Sequence, residues 1–236
     1  MVFKCRYQLF LLIFSLMITN CVFAVTIKPK LDFSNRYIWR GFDANPDNHY
    51  VIQPSFDLSF PESHWSFNIW YSFSAENHEL NELDLTFNYD FQISSDVSVS
   101  AGIIHYGWYQ AKNFSSEENT TIETYFSFAW KKQPLSPTIS FNHDCKNGNG
   151  LYAQLALSKS FAISQSQNLE LSTTIGYNQK QWISRSGLSE VAVTASLPIV
   201  DGTNTITPFV GISWPLMNEI NPGVNREYWM GLSLEF

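Results

Sequence analysis

The sequence predicts an all-β fold, a membrane-spanning antiparallel up-and-down β-barrel of about 12 strands that follows a cleaved N-terminal signal peptide. Three observations lead there. Short segments in which apolar and polar residues alternate with period two recur from Thr26 onwards, and successive strand side chains point to opposite faces. Aromatic residues make up 16% of the 236 residues, yet after the first 24 no run reaches the roughly 18 continuous apolar residues of a spanning helix. The last nine residues, Tyr228 to Phe236, alternate without a break, so they read as a strand that a closed sheet can pair with its first.

The N-terminus has Lys4 and Arg6, an apolar run from Leu9 to Ile18, and Val22-Phe23-Ala24, which reads as a signal peptide over 1–24 with one barrel domain over 25–236. Cys21 follows Asn20 rather than the small residue of a lipoprotein signal. Removing Lys4 and Arg6 lowers Lys plus Arg from 14 to 12 against 21 Asp plus Glu, and an acidic chain of this kind excludes nucleic acid as a partner. Only Cys145 would survive cleavage, so a disulfide framework is excluded, and no cofactor is expected. No His or Cys spacing suggests a metal.

Taken in order, strand one sets Ile27, Leu31, Phe33, Tyr37 and Trp39 against Lys28, Lys30, Asp32, Ser34, Arg36 and Arg40. Strand two runs from Tyr50 to Phe60 despite Pro54, and strand three from Trp65 to Phe73. In strand four Leu83, Leu85, Phe87, Tyr89 and Phe91 alternate with Glu82, Asp84, Thr86, Asn88 and Asp90. Keeping every carboxylate on one parity keeps charge off the lipid face, where a basic residue at the midplane costs about 2–4 kcal/mol and an acid less. Strands five to seven begin at Val97, Ile122 and Ile139, and Lys146 to Gly150 is a glycine-bearing turn. Strands eight to eleven cover Leu151 to Phe161, Leu169 to Tyr177, Glu190 to Leu197 and Thr205 to Trp214, and Tyr228 to Phe236 is strand twelve.

Connections after odd strands tend to be longer than those after even strands, as outside loops and periplasmic turns would be. On that topology Tyr37, Trp39, Tyr50, Tyr71, Trp214 and Tyr228 form a lipid-facing aromatic belt at the outer rim. Trp65, Trp130 and Phe236 belong to a second belt at the inner rim. The competing architecture is a soluble β-barrel or sandwich with the apolar parity inside. Aromatic residues at strand ends favour the membrane.

The ending Gly231-x-x-Leu234-x-Phe236 resembles the final strand of bacterial outer-membrane β-barrel proteins. Ser34-Asn-Arg36-Tyr37-Ile-Trp39-Arg40-Gly41-Phe42 with Gln53-Pro54, and then Pro137 to Asp144 with Gly150-Leu-Tyr152, is similar to the TorF-type porin family. The resemblance implies a porin-like barrel in the outer membrane of a Gram-negative bacterium and brings no ligand residues with it. Its partners would be outer-membrane lipid and lipopolysaccharide, with periplasmic chaperones and the barrel-assembly machinery acting during insertion. By parity the lumen holds Asp57, Glu82, Asp84, Asp90, Glu123, Glu170, Glu190 and Glu227, with Arg36 and Arg40 facing the acids near the outer mouth as a constriction. These charges either pair across the barrel and plug it or line a water path that favours cations. The expectation is a non-enzymatic channel for small polar or cationic solutes; the alternatives are a non-conducting structural or adhesion barrel and a lipid-acting hydrolase. His64-Trp65-Ser66 has the spacing of the last, but Ser66 lies on lumen parity.

Overall fold

Antiparallel backbone ladders join the staves of one sheet in chain order, and one further pairing joins its first stave to its last and closes it into a ring. The computed structural model describes residues 25–45, 49–60, 62–76, 80–108, 120–221 and 223–236. The expected signal peptide with Cys21, His78, and the loop from Tyr109 to Asn119 lie outside them.

The strands are β1 (Thr26–Ser34), β2 (Ile38–Trp39), β3 (Phe42–Asp43), β4 (Val51–Ser59), β5 (Trp65–Ser74), β6 (Leu80–Gln92), β7 (Val97–Trp108) and β8 (Thr120–Trp130). They continue with β9 (Thr138–Asp144), β10 (Gly150–Ala162), β11 (Asn168–Gln179), β12 (Ser186–Ser196), β13 (Ile199–Asp201), β14 (Asn204–Pro215) and β15 (Glu227–Glu235). β2 and β3 form a separate hairpin; the rest form the wall. β12 and β13 are one stave interrupted at Pro198, because Ser196 faces Phe209 and Ile199 faces Ile206 in the same register. The described wall therefore has twelve staves, closed by β12 on β14 and by β1 on both β4 and β15.

Prolines sit where the ladder can spare a donor. Between β4 and β5 the pairing passes from Ile52–Phe73 to Ser55–Trp70 without a shift, skipping Gln53 and Pro54. Leu197 N–H reaches the Pro208 carbonyl (3.0 Å) opposite the Pro198 break.

Alternation decides the faces. Ile27, Phe56, Phe87, Ile103, Phe126, Val210 and Met230 are exposed outward, as a lipid-facing surface requires. Lys159 shares that outward parity, facing Leu171 across the ladder, and lays its ammonium 5.3 Å from the Phe161 ring at the short-turn end. A long basic side chain at a rim reaches the interface cheaply, so the cost there falls to about 0–1 kcal/mol.

β1 leaves the wall at Ser34, six residues sooner than the alternation through Arg40 predicts. Beyond it, between β4 and β15, the outer surface has an apolar groove of about 640 Å3 that includes Phe33, Tyr50, Ile52 and Met230. Residues 35 to 45 turn into the barrel at the end carrying the long connections, called the outer end below.

Candidate functional site

Arg40 (φ 47°) and Gly41 (φ 90°) make the tip of the β2–β3 hairpin, and only the glycine takes such a φ without strain. Its close fit also requires glycine, because a Cβ there would come within 2.6 Å of Glu190 Cβ. The hairpin holds itself together: Arg36 pairs with Asp43 (3.1 Å), whose other oxygen accepts from the Tyr37 amide (3.2 Å) and the Asn45 amide (3.0 Å).

Inside the barrel it is held on several sides. The Arg40 guanidinium donates through both terminal nitrogens to Glu123 on β8, at 2.9 and 2.7 Å, and also to Gln181. Glu123, fully buried, additionally accepts from Tyr106 (3.1 Å) and from Gln181. The guanidinium lies between two rings, 4.3 Å from Trp39 and 4.5 Å from Tyr152, which is a cation–π arrangement. Burial works against the Arg40 charge, but Glu123 outweighs it and raises the affinity of the guanidinium for its proton. Arg36 reaches β15 through Glu227 (2.9 Å), and the Ser213 hydroxyl donates to the Gly41 carbonyl (3.4 Å).

Glu190 is aimed at the hairpin by a bulge. Tyr177 faces Leu188 and Ile175 faces Val191, so Ser189 and Glu190 both oppose Gly176 and both are buried. Gly176 makes room, since a Cβ there would strike both Glu190 and the Tyr152 hydroxyl that donates to it. Asp144, completely buried, organises the neighbouring turn by accepting from Thr121 (2.7 Å) and from the Lys146 (2.9 Å) and Asn149 (3.3 Å) amides. That turn in turn holds Trp182, whose amide donates to the Gly148 carbonyl (3.0 Å).

Several expectations are corrected here. Tyr37 and Trp39 are not belt residues: Tyr37 packs on lumen-facing Trp70 (5.3 Å between centroids) and Trp39 on buried Tyr106 (6.3 Å). Burial and the charges of Glu82 and Asp84 push the Tyr37 phenol well above its ordinary value, so it remains a neutral donor. Of the two arginines expected to face the lumen acids, Arg36 meets Glu227 on β15 and Arg40 meets Glu123 on β8. The inward placement of Tyr37 and Trp39 follows from the early end of β1 at Ser34.

The other sequence-predicted residues divide by depth. Glu82 and Asp84 are buried beside the hairpin, with Glu123 and Glu190. Asp57 and Asp90 lie in the inner half and are exposed; Glu170 is half-buried and faces Ser196 and Ser160. Asp57 accepts from Asn68 (2.7 Å), and Asp90 accepts from Asn88 (2.8 Å) and from Ser100. Tyr50, Trp65, Tyr228 and Phe236 are exposed and Tyr71, Trp130 and Trp214 half-buried. His64 and Ser66 are split by the wall: the His64 ring packs on outward Tyr89, whereas Ser66 accepts from lumen-facing Asn88 (3.2 Å). Sequence reasoning missed Gln181, Tyr106, Tyr152 and Asp144, which come from four strands or loops; the Arg40-Gly41 dipeptide, a turn signal inside an apparent strand, was the available clue. Among the described residues no group of three or more His, Cys, Asp or Glu could hold a metal ion.

No protein-family model matches the chain, and no curated protein matches it by sequence. Solved structures do resemble it. The KdgM porin is 9% identical with a TM-score of 0.56, covering 89% of this chain and 98% of its own. The NanC porin is 12% identical with a TM-score of 0.55, covering 89% and 99%. The COG4313 outer membrane channel from Pseudomonas putida F1 is 9% identical with a TM-score of 0.50, covering 91% and 95%. The fold of this chain is thus that of outer-membrane porin-like barrels.

Proposed function

We propose that the chain is an outer-membrane channel for passive diffusion of small polar or cationic solutes, narrowed at its outer end by the inward hairpin. The observation that carries this reading is the charge of the lumen. Asp57, Asp90 and Glu170 face inward below the hairpin without an ion-pair partner among the described residues, whereas Arg36 and Arg40 are paired with Asp43, Glu227 and Glu123. An excess of carboxylates along a water path favours cations. One similar structure, the KdgM porin, was solved in complex with disordered oligogalacturonate. A polyanion of that kind suits the acidic lumen described above poorly, so the cargo proposed for this chain is of the opposite sign.

The TorF-type resemblance belongs to the same proposal, and its most distinctive stretch, Ser34 to Phe42, is the hairpin itself. The split of His64 from Ser66 speaks against the lipid-hydrolase alternative. Planar-bilayer recording of the refolded barrel in a salt gradient tests the reading. A reversal potential on the cation side is expected; anion preference, or silence in both the wild type and a hairpin-deleted chain, would overturn it.

A further inference from the structure

Above the hairpin, at the outer mouth, a cavity of about 200 Å3 is walled by Trp39, Phe42, Trp182, Ile183, Ile220 and Val224. We propose that it binds a small, uncharged, monocyclic aromatic solute carrying a hydroxyl group. This goes beyond the channel reading and does not depend on conduction.

The polar groups around the cavity are spent on one another. Arg40 is committed to Glu123 and Gln181. Asn178 donates to the Gln181 carbonyl (3.1 Å) and accepts from the Gln181 amide (2.8 Å). Asn221 donates through its side-chain nitrogen to the Ser189 carbonyl (2.9 Å) and hydroxyl (3.2 Å). What the cavity offers a ligand is therefore ring faces and aliphatic surface. The Asn221 side-chain oxygen, to which no described residue donates, is an acceptor for a hydroxyl.

Ligand charge is disfavoured on both signs. The Arg40 guanidinium is already neutralised by buried Glu123, so the site as a whole offers a charged ligand of either sign no free counter-charge to offset its desolvation. Size favours one ring, since an apolar protein cavity of about 150 Å3 is enough to take benzene.

Backbone strain supplies an independent observation. Five described non-glycine residues have positive φ; Arg40 (47°) and Trp182 (62°) line this cavity, and Lys180 (58°) stands two residues before Trp182. Such residues persist where the surroundings impose them, and they cluster at ligand sites. Trp182 stands at the cavity edge-on to Trp108, at 5.5 Å and 86°, and the residue is still 45% exposed. A tryptophan left half open on an enclosed apolar wall is a ready stacking surface.

The test is fluorine NMR of 4-fluorophenol added to the full barrel in lipid nanodiscs. The expected result is a saturable shift that weakens at least tenfold in Val224→Trp, which fills the cavity, and in Trp182→Ala, which removes a wall. Faster gel migration of unboiled samples verifies that each variant is closed, and Ile183→Phe replaces Val224→Trp if that one fails to close. No saturable shift, binding undiminished in the closed variants, or stronger displacement by benzylammonium than by unlabelled phenol would overturn the proposal. Loss of binding would leave the conductance result untouched, and silence in the bilayer would leave the binding result untouched.

Discussion

The outer and inner halves of the lumen obey the same inward parity and handle charge in opposite ways. In the outer half Glu82, Asp84, Glu123, Asp144 and Glu190 are all buried, packed around a hairpin and the inward rings of Trp70, Tyr106 and Tyr152. In the inner half Lys28, Asp57, Asp90 and Glu235 are exposed and bonded mainly along the wall. Buried charges need partners, and removing one partner leaves the other stranded in a poorly hydrated site. Charges of the outer half are therefore part of the packing, whereas those of the inner half are free to act on ions.

Replacing residues 36 to 44 with a flexible Gly-Ser segment should produce the largest change, a several-fold rise in single-channel conductance. Unchanged conductance would mean that the two halves do not differ as barriers. Next is Arg40→Ala, which strands Glu123 at a cost of about 3–5 kcal/mol. It should lower the urea midpoint in lipid and produce frequent transitions to a larger conductance; a wild-type trace would remove the ion pair from the account of the constriction.

Glycine substitutions compare the halves directly. Gly41→Ala meets both a positive φ and the Glu190 side chain, whereas Gly202→Ala in the short inner turn (φ 62°) has nothing within 4 Å. Alanine at Gly202 should cost only the about 1–2 kcal/mol of a left-handed residue, with conductance unaltered, and Gly41→Ala should cost more and disturb conductance. Equal midpoints would show that the hairpin tip is not tightly seated. Smallest of all, Asp57→Asn combined with Asp90→Asn should change stability by about 0.5 kcal/mol or less, as exposed positions do. The reversal potential should move towards zero, and a fixed value would assign selectivity to the outer half.

The wall was largely legible because lipid imposes period two on every stave: strand four's carboxylates, for instance, all face inward as β6. The hairpin was not. Tyr37 and Trp39 continue the parity of Ile27, Leu31 and Phe33, and an alternation rule has only two faces to offer. It cannot separate a ring in lipid from a ring packed against Trp70 or Tyr106, because both environments are apolar. The bulge that turns Ser189 and Glu190 to the same side inverts the phase between outward Leu188 and outward Val191, and only Ser186 to Leu188 precede it in the strand, too few to display the earlier phase. The cluster around Arg40 draws on β7, β8 and β10 and on the loop after β11, a proximity that no local pattern encodes.

The early exit of β1 bears on how the molecule is fastened. The first and last strands meet over five residue pairs, Lys30–Glu235 to Ser34–Gly231, whereas β10 and β11 share twelve. Past that short ladder the Asn35 amide and side chain grip Met230 (3.1 and 2.8 Å), and Arg36 then crosses to Glu227. The hairpin is thus a buckle across the junction as well as an obstruction in the passage. Loosening it to widen the pore would also slacken the closure of the cylinder, so permeability and the ability to seal during insertion should be inherited together.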